Sequence, residues 1–417
     1  MEYKVGDLCT FQEGYVNPSQ KIEKYFDGPH KWVRAVDVNN NEIFNTSRTL
    51  SEEGFKSAKK SAYKFPANSI VITKSGTIGR VAIIKDEMAG NRATINIVPN
   101  EKLVNLYYLF YLLITKRQDL ENLAVGSVQK NLYISVLSTL KINVPELKKQ
   151  NKIAKALKNI DDKIASNRHI IANLEELSQT LFKRWFVDFE FPDENGNPYK
   201  SSGGKMIDSE LGKIPNDWKI SNFQEITAFN TEMVDTNQLE NPLNYIGLEH
   251  ISRNNIISID RWENTSKVTG KKLKVCKGDI LFGKLRPYFQ KVGISPIDGV
   301  VSTDIMIFTP SFKNVYYFIL LYLSQKNFIR YITSTSTGTR MPRTGKKQIN
   351  SYKIVLPTNL ILTSFNTILN RYTDLIELLI NENAKLIQLR DTLLPKLMSG
   401  EIELPDDIEV NSDELSI

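Results

Sequence analysis

The sequence predicts a mixed α/β (α+β) protein built as an internal repeat. Two similar globular modules are separated by two long helices that pair antiparallel as a coiled coil, so the chain has pseudo-twofold symmetry. Three observations carry this. Residues 146–187 contain no Gly or Pro, and their apolar residues recur at alternating steps of four and three, which is a coiled-coil seam. Residues 358–400 show the same spacing. The two halves of the chain also match at an offset of 212, the distance from Pro145 to Pro357.

The first seam runs Ile153, Leu157, Ile160, Ile164, Ile171, Leu174, Leu181 and Trp185, with Asn167 and Ser178 as its polar members. At 1.5 Å per residue, roughly 40 residues make a rod of about 60 Å. A single module core seldom needs so long a helix, so its partner is expected to be another helix. The second seam supplies one: Phe365, Leu369, Tyr372, Ile376, Leu379, Asn383, Leu386, Leu393 and Leu397. Without a gap, the offset places Ala172–Leu177 on Ala384–Leu389 and Thr180-Leu181 on Thr392-Leu393. Asn383 then stands where the first copy has Ile171, and a lone Asn in a seam can fix register at some cost in stability. The plainer reading has each helix pack only on its own module.

The chain of 417 residues is long enough for two or three domains, and 41% hydrophobic with 24% charged residues supports a sizeable core. The net charge of +7 points to a polyanionic partner, as a moderate signal. Cys9 and Cys276 form no CxxC pair, which fits a reducing compartment and opposes a disulfide scaffold or zinc ribbon. MEYKVGDLCTF has no apolar signal-peptide core. The apolar run Val315–Leu323 falls well short of the ~20 residues that span a bilayer. A cytoplasmic protein with no membrane partner is expected.

In chain order, the first module covers 1–145. Lys31–Val38 reads as a strand and Asn39-Asn40-Asn41 as a turn; Ser69–Thr73 and Val81–Ile84 read as strands joined by the loop Lys74–Arg80. Asn91–Val98 is one more strand, Leu103–Thr115 a helix, Gly126–Asn131 a polar loop and Leu140–Val144 a closing strand. After the long helix 146–187, residues 188–217 are rich in Gly, Pro, Ser and acid and form a linker, whose aromatics Phe189, Phe191 and Tyr199 suggest that it lies along a surface. The second module, 218–357, repeats the layout. Phe223-Gln224-Glu225 falls on Phe11-Gln12-Glu13, Tyr245–Leu248 on Trp32–Ala35, Asp279–Phe282 on Ser69–Ile72, and Gly338-Thr339-Arg340 on Gly126-Ser127-Val128. The helix 358–400 and an acidic tail, 401–417, end the chain. Two modules of one architecture with different loop residues imply two related targets read in two different ways. Duplication with drift, leaving one working module, is the alternative.

Catalytic motifs are missing. His30, His169 and His250 lie far from any second His or Cys at metal-ligand spacing. Gly338–Lys347 has the wrong spacing for a P-loop, and Asn197-Pro198-Tyr199 lacks one Pro of an adenine-methyltransferase motif. Gly76-Thr77-Ile78-Gly79 precedes a strand where a cofactor loop would open a helix. What remains are polar, basic loops at matching places in both modules. The first module offers Lys74, Ser75, Thr77, Arg80, Arg92, Gln129, Lys130 and Asn131. The second offers Lys284, Arg286 and Tyr288, then Thr339, Arg340, Arg343, Lys346 and Lys347. Arg, Gln and Asn can read base edges bidentately, while Lys and Ser more often hold phosphates. Taken singly, such a loop is more often a solvated turn than a reader; their occurrence at matching places in both modules favours reading.

The layout resembles the specificity subunits of type I restriction–modification systems over essentially the whole chain. The most specific stretches are Leu181–Pro192, Gly196–Met206, Ser209–Gly212 with Ile214-Pro215 and Trp218, and Thr392–Gly400. The resemblance implies that 1–145 and 218–357 are target-recognition domains, each reading one half of a split, asymmetric site in double-stranded DNA. It implies that the paired helices are the ruler between the halves and dock two modification (methyltransferase) subunits, joined by restriction (translocase and nuclease) subunits. S-adenosylmethionine, ATP and magnesium are then expected in those partners, with no cofactor or metal bound directly and no catalysis by this chain. A self-contained DNA methyltransferase or nuclease, and a coiled-coil scaffold binding protein only, are the competing classes.

Overall fold

The computed structural model describes residues 1–126, 130–253 and 255–405; Gln129 and the tail residues 406–417 lie outside the described residues. The chain divides into two compact units, Met1–Lys163 with Leu386–Ile417, and Ile164–Lys385.

The first unit is organised on a five-stranded sheet. Its order is Cys9–Glu13, Thr94–Pro99, Ser69–Thr73, Val81–Ile84, Asn41–Ile43. Neighbours are antiparallel except the last pair, which is parallel. Ser69–Thr73 and Val81–Ile84 are buried along their whole length, because both faces of the sheet are covered and β-branched residues suit such strands. Side chains alternate across the sheet. Ile70, Ile72, Ile83, Ile95 and Ile97 join one core with the helix Leu106–Thr115 and with Ile153 and Leu157 of the first long helix. Val71, Ala82 and Ile84 face Val33, Val38 and Phe65 on the other side. There a second sheet runs in the order Thr49–Leu50, Phe26–Val33, Met88–Gly90, Lys64–Phe65.

Some sequence-predicted bounds move. The strand expected at Lys31–Val38 is Phe26–Val33. Asp37 ends it: its carboxylate accepts from the N–H of Arg34 and of Ser47, both at 2.9 Å, and turns the chain. The helix expected from Leu103 begins at Leu106, because the Asn105 side chain caps it by accepting from Tyr108 N–H at 3.0 Å. The strand expected from Asn91 begins at Thr94, after a turn in which Thr94 N–H donates to the Asn91 carbonyl.

The long helices are Leu147–Phe182 and Asn359–Ser399. In the first unit their segments run antiparallel: Lys149 pairs with Glu403 at 2.6 Å and Arg390 with Asp161 at 2.8 Å. Leu394 and Leu397 pack into the same core as Ile153 and Leu157, while Ile160, Leu386 and Leu393 are half-buried.

The second unit repeats the plan. Its four-stranded sheet has the order Thr227–Asn230, Ile305–Pro310, Ile280–Gly283, Val292–Ile294, antiparallel throughout. Helix Tyr316–Tyr322 contributes to its core as Leu106–Thr115 does in the first. A parallel pairing recurs as well: Trp32 opposite Ala89 in the first unit, Tyr245 opposite Val300 in the second. Here too the helix segments are antiparallel, with Asn167 near Asn383, and Phe182, Trp185 and Phe186 against Phe365. Ile164, Ile171, Leu369, Ile376 and Leu379 are buried, and Leu174 and Leu181 partly so. The two seam asparagines meet, Asn167 Nδ2 donating to Asn383 Oδ1 at 3.0 Å and to Glu382 Oε2 at 2.7 Å. After the helix, Phe191 stacks on both Tyr199 and Trp218, and Met206–Ser209 pairs with Gly212–Pro215 as a hairpin. Those aromatics therefore pack against protein.

Candidate nucleic-acid interface

In the first unit the hairpin Ser69–Thr73/Val81–Ile84 carries the loop 74–80. Thr73 Oγ1 donates to the Thr77 carbonyl and accepts from Arg80 N–H, closing the loop on itself. Lys74 ties the loop outward in two directions. Its N–H donates to the Ala93 carbonyl at 2.8 Å, and its carbonyl accepts from Leu132 N–H at 2.9 Å. Ser75 bridges to Asn131, and Asn131 and Val125 exchange backbone hydrogen bonds of 2.9 Å. Two loops far apart in sequence thus become one surface.

The second unit has the same clamp built from different residues. Lys284 N–H donates to the Asp304 carbonyl at 2.9 Å, and the Lys284 carbonyl accepts from Thr344 N–H at 3.1 Å. Leu285 bridges to Arg343, and Arg343 and Thr337 exchange backbone hydrogen bonds of 2.9 and 3.0 Å. Each bond has its counterpart 210 to 212 positions earlier: Lys74 for Lys284, Asn131 for Arg343, Val125 for Thr337. The clamp hydrogen bonds are shared, while the hairpin loop is one residue longer in the second module and the side chains differ.

Among the sequence-predicted residues, the first clamp joins Lys74, Ser75 and Asn131, with Lys130 exposed beside them and Arg92 exposed next to Ala93. Thr77 is exposed in the loop, while Arg80 sits half-buried at its base. The second clamp joins Lys284, Arg286 and Arg343; Tyr288, Thr339, Arg340 and Lys347 are exposed around them. Lys346 places its ammonium 5.3 Å from the Phe229 ring centroid. Phe229, Lys284, Thr344 and Lys346 also line a cavity of about 270 Å³.

Several partners escaped the sequence reading. Glu13 pairs with Lys74 at 3.2 Å, and Asp304 receives the Arg343 guanidinium, Nε to Oδ1 at 3.1 Å and Nη2 to Oδ2 at 3.4 Å. Arg343 is therefore already engaged by a carboxylate. Arg253 lies over the Phe289 ring at 3.6 Å. Lys291 donates to the Leu248 carbonyl, and burial, reinforced by the Arg253 charge, holds its ammonium below the usual lysine range. These contacts carry no periodic signal, so only proximity in the fold exposes them.

His250 is buried, and its Nδ1 accepts from Gly247 N–H, a structural role. Cys9 is also interior, and burial pushes its thiol up to about 12. Among the described residues, no group of three or more His, Cys, Asp or Glu is placed to hold a metal ion. No helix among them is long and apolar enough to cross a membrane. The Gly76–Gly79 loop joins two antiparallel strands, so it lacks the helix N-terminus that holds a dinucleotide or nucleoside cofactor.

Twin loop clamps on a repeated scaffold, basic and differing in side chains, define a duplicated two-module protein. The family model described as the type I restriction modification DNA specificity domain matches residues 1–176 and again 215–388. The chain belongs to this family: it is a specificity subunit of the type I restriction–modification kind, concerned with DNA-sequence recognition. It is 27% identical to the specificity subunit of the type I restriction enzyme MjaIX of Methanocaldococcus jannaschii, over 97% of this chain and 93% of that one. It is 24% identical to the EcoDI specificity subunit of Escherichia coli, over 72% and 71% of the two chains. A solved S subunit of a type I restriction–modification system from M. genitalium shares the fold, with a TM-score of 0.58, 17% identity and 95% of each chain covered.

Proposed function

We propose that this chain is the non-catalytic reader of a bipartite DNA site, each module recognising one half. The observation that supports this most is the pair of backbone-equivalent clamps bearing different side chains. A shared scaffold fixes how each loop surface is presented, and the substituted residues give each half its own sequence preference. The long helices, in this reading, set the distance between the halves and dock two modification subunits. Those subunits carry the adenine methyltransferase site with S-adenosylmethionine, and restriction subunits bring ATP- and magnesium-dependent translocation and cleavage. A cytoplasmic location follows from such a role.

The basic loop residues would divide the work. Lys130, Lys346 and Lys347 suit phosphate contacts, whereas Lys74 is already paired with Glu13; Arg340, Asn131 and Arg286 carry the kinds of donor that suit base edges. The test has two arms. Binding of the purified chain to duplex DNA should weaken steeply with salt, which a scaffold binding only protein would not show. Methylation of target DNA should require an added modification subunit; activity of the chain alone would make it an enzyme and overturn the reading.

A further inference from the structure

The two hairpin tips differ at two left-handed positions, where Gly76 and Gly79 of the first module are replaced by Arg286 and Gln290 in the second, and Arg286 is the one that carries a cation. Arg286 occupies left-handed backbone, φ 51° and ψ 63°. Its counterpart 210 positions earlier, Gly76, has φ 76°. Left-handed backbone is free for glycine and strained for a residue with a Cβ. Nothing lies within 4 Å of where a Cβ on Gly76 would be, so the glycine there serves the turn and not close packing. An arginine kept in the same conformation points to work done by its side chain, since strained residues concentrate at functional sites.

The surroundings make the second tip rigid. Pro287 begins a short 3-10 turn, Pro287–Phe289, closed by Gln290, a second left-handed residue at φ 51°. Arg286 N–H donates to the Pro342 carbonyl at 2.7 Å, binding the tip to the Thr337–Arg343 loop. The ring of Phe289 meets the Tyr288 ring at a steep angle and has the Arg253 guanidinium over it. Arg343, the neighbouring arginine of the clamp, is held by Asp304. Among the described residues no carboxylate stands within 4.0 Å of the Arg286 guanidinium, and its Nε is buried without a partner.

We propose that Arg286 is the guanine-selecting residue of the second module, its guanidinium presented by the strained tip to the O6 and N7 acceptors of one guanine in that half-site. A planar guanidinium donating two parallel hydrogen bonds matches this pair of acceptors, and no other base edge offers two acceptors in the major groove. Asp304 keeps the nearby Arg343 from competing for the same base. The first module, with glycine at the tip, makes no equivalent contact. This rests on the reading that the second module recognises one half-site.

The experiment replaces Arg286 in the full chain, supplied with its modification subunit, and maps methylated adenines genome-wide. Arg286→Gly, the residue the backbone prefers, should leave the melting temperature unchanged or raise it. It should lose discrimination at a single G·C position of the second half-site by about ten- to a hundredfold, with the first half-site and the spacer intact. Arg286→Lys should keep affinity within a fewfold while losing most of that discrimination, because an ammonium lacks the fork. A folded Arg286→Gly protein with an unchanged half-site overturns the proposal, and so does degeneracy at an A·T position. If Arg286→Gly destabilises the chain, Arg286→Lys alone decides by the same criterion. A wild-type chain that directs no bipartite methylation would instead contradict the underlying reading, a result visible before any variant is made.

Discussion

Glu175 anchors the second module to the first long helix, and its removal has a calculable effect. It is buried, 3% exposed, and its carboxylate accepts from Ile256 N–H at 3.2 Å, Ile257 N–H at 3.4 Å, Ser258 N–H at 2.8 Å and Ser258 Oγ at 2.6 Å. Burial pushes its carboxyl pKa above the usual value of 4.5 even against these four donors. The hydrogen bonds thus offset desolvation incompletely, and the anchor is worth less than four charge-assisted bonds added together. Glu175→Ala removes that penalty but strands three backbone donors, each costing ~1–3 kcal/mol when buried and unpaired. With water entering the space left by the side chain, the expected net loss is ~2–4 kcal/mol. Glu175→Gln should cost about half as much, because the amide keeps one acceptor and turns a donor toward donors. The assays are urea denaturation and amide exchange at Ile256, Ile257 and Ser258, which should lose protection first. The pH dependence has a definite sign. The native carboxyl holds its proton where the unfolded one has lost it, so the contribution of Glu175 to stability rises as pH falls from neutral toward 4.5. The advantage of wild type over Glu175→Gln should therefore grow on acidification. A loss under ~0.5 kcal/mol with unchanged exchange at those amides would refute the anchoring role.

Other outcomes follow from the same geometry. Arg340→Ala should weaken specific binding by ~1–3 kcal/mol and relax only the second half-site, as measured with duplexes altered in one half at a time. The effects of Arg343→Ala and Asp304→Ala on specific binding should fail to add in the double variant, because the two form one ion pair; full additivity would free Arg343 for direct base contact. A four-residue insertion beside Asn167 keeps the seam nearly in phase and adds ~6 Å of helix. It should lengthen the methylated spacer by one or two base pairs, at 3.4 Å each, without altering the bases read. An unchanged spacer with full activity would show that the helices do not set the distance.

The repeat and the seam were legible because both are periodic. Ile153, Leu157, Ile164 and Ile171 announce themselves by spacing, and the matched positions Trp32 and Tyr245 do occupy equivalent parallel strands. The loops around Lys74 and Lys284 were legible by composition and by recurring at one offset. Local capping was harder: Asp37 and Asn105 move element ends by hydrogen bonds that sequence patterns do not rank. Long-range pairs left no trace at all. Asp304 with Arg343, Glu13 with Lys74, and Glu175 with the 256–258 backbone join residues 39, 61 and more than 80 positions apart. Nothing in either partner's neighbourhood marks such a pair before the strands bring them together. The left-handed backbone at Arg286 was equally hidden, since the residue that betrays it, Gly76, stands in the other module.

The central claim is that two clamps on one scaffold read two halves of one site independently. The most direct measurement exchanges residues 1–145 for the corresponding module of a relative with a different target and maps methylated adenines in cells that also carry the modification subunit. One half of the recognised sequence should change to the donor's, while the other half and the spacer stay as they were. A change in both halves, or in neither, with the exchanged protein folded and active, would contradict the account.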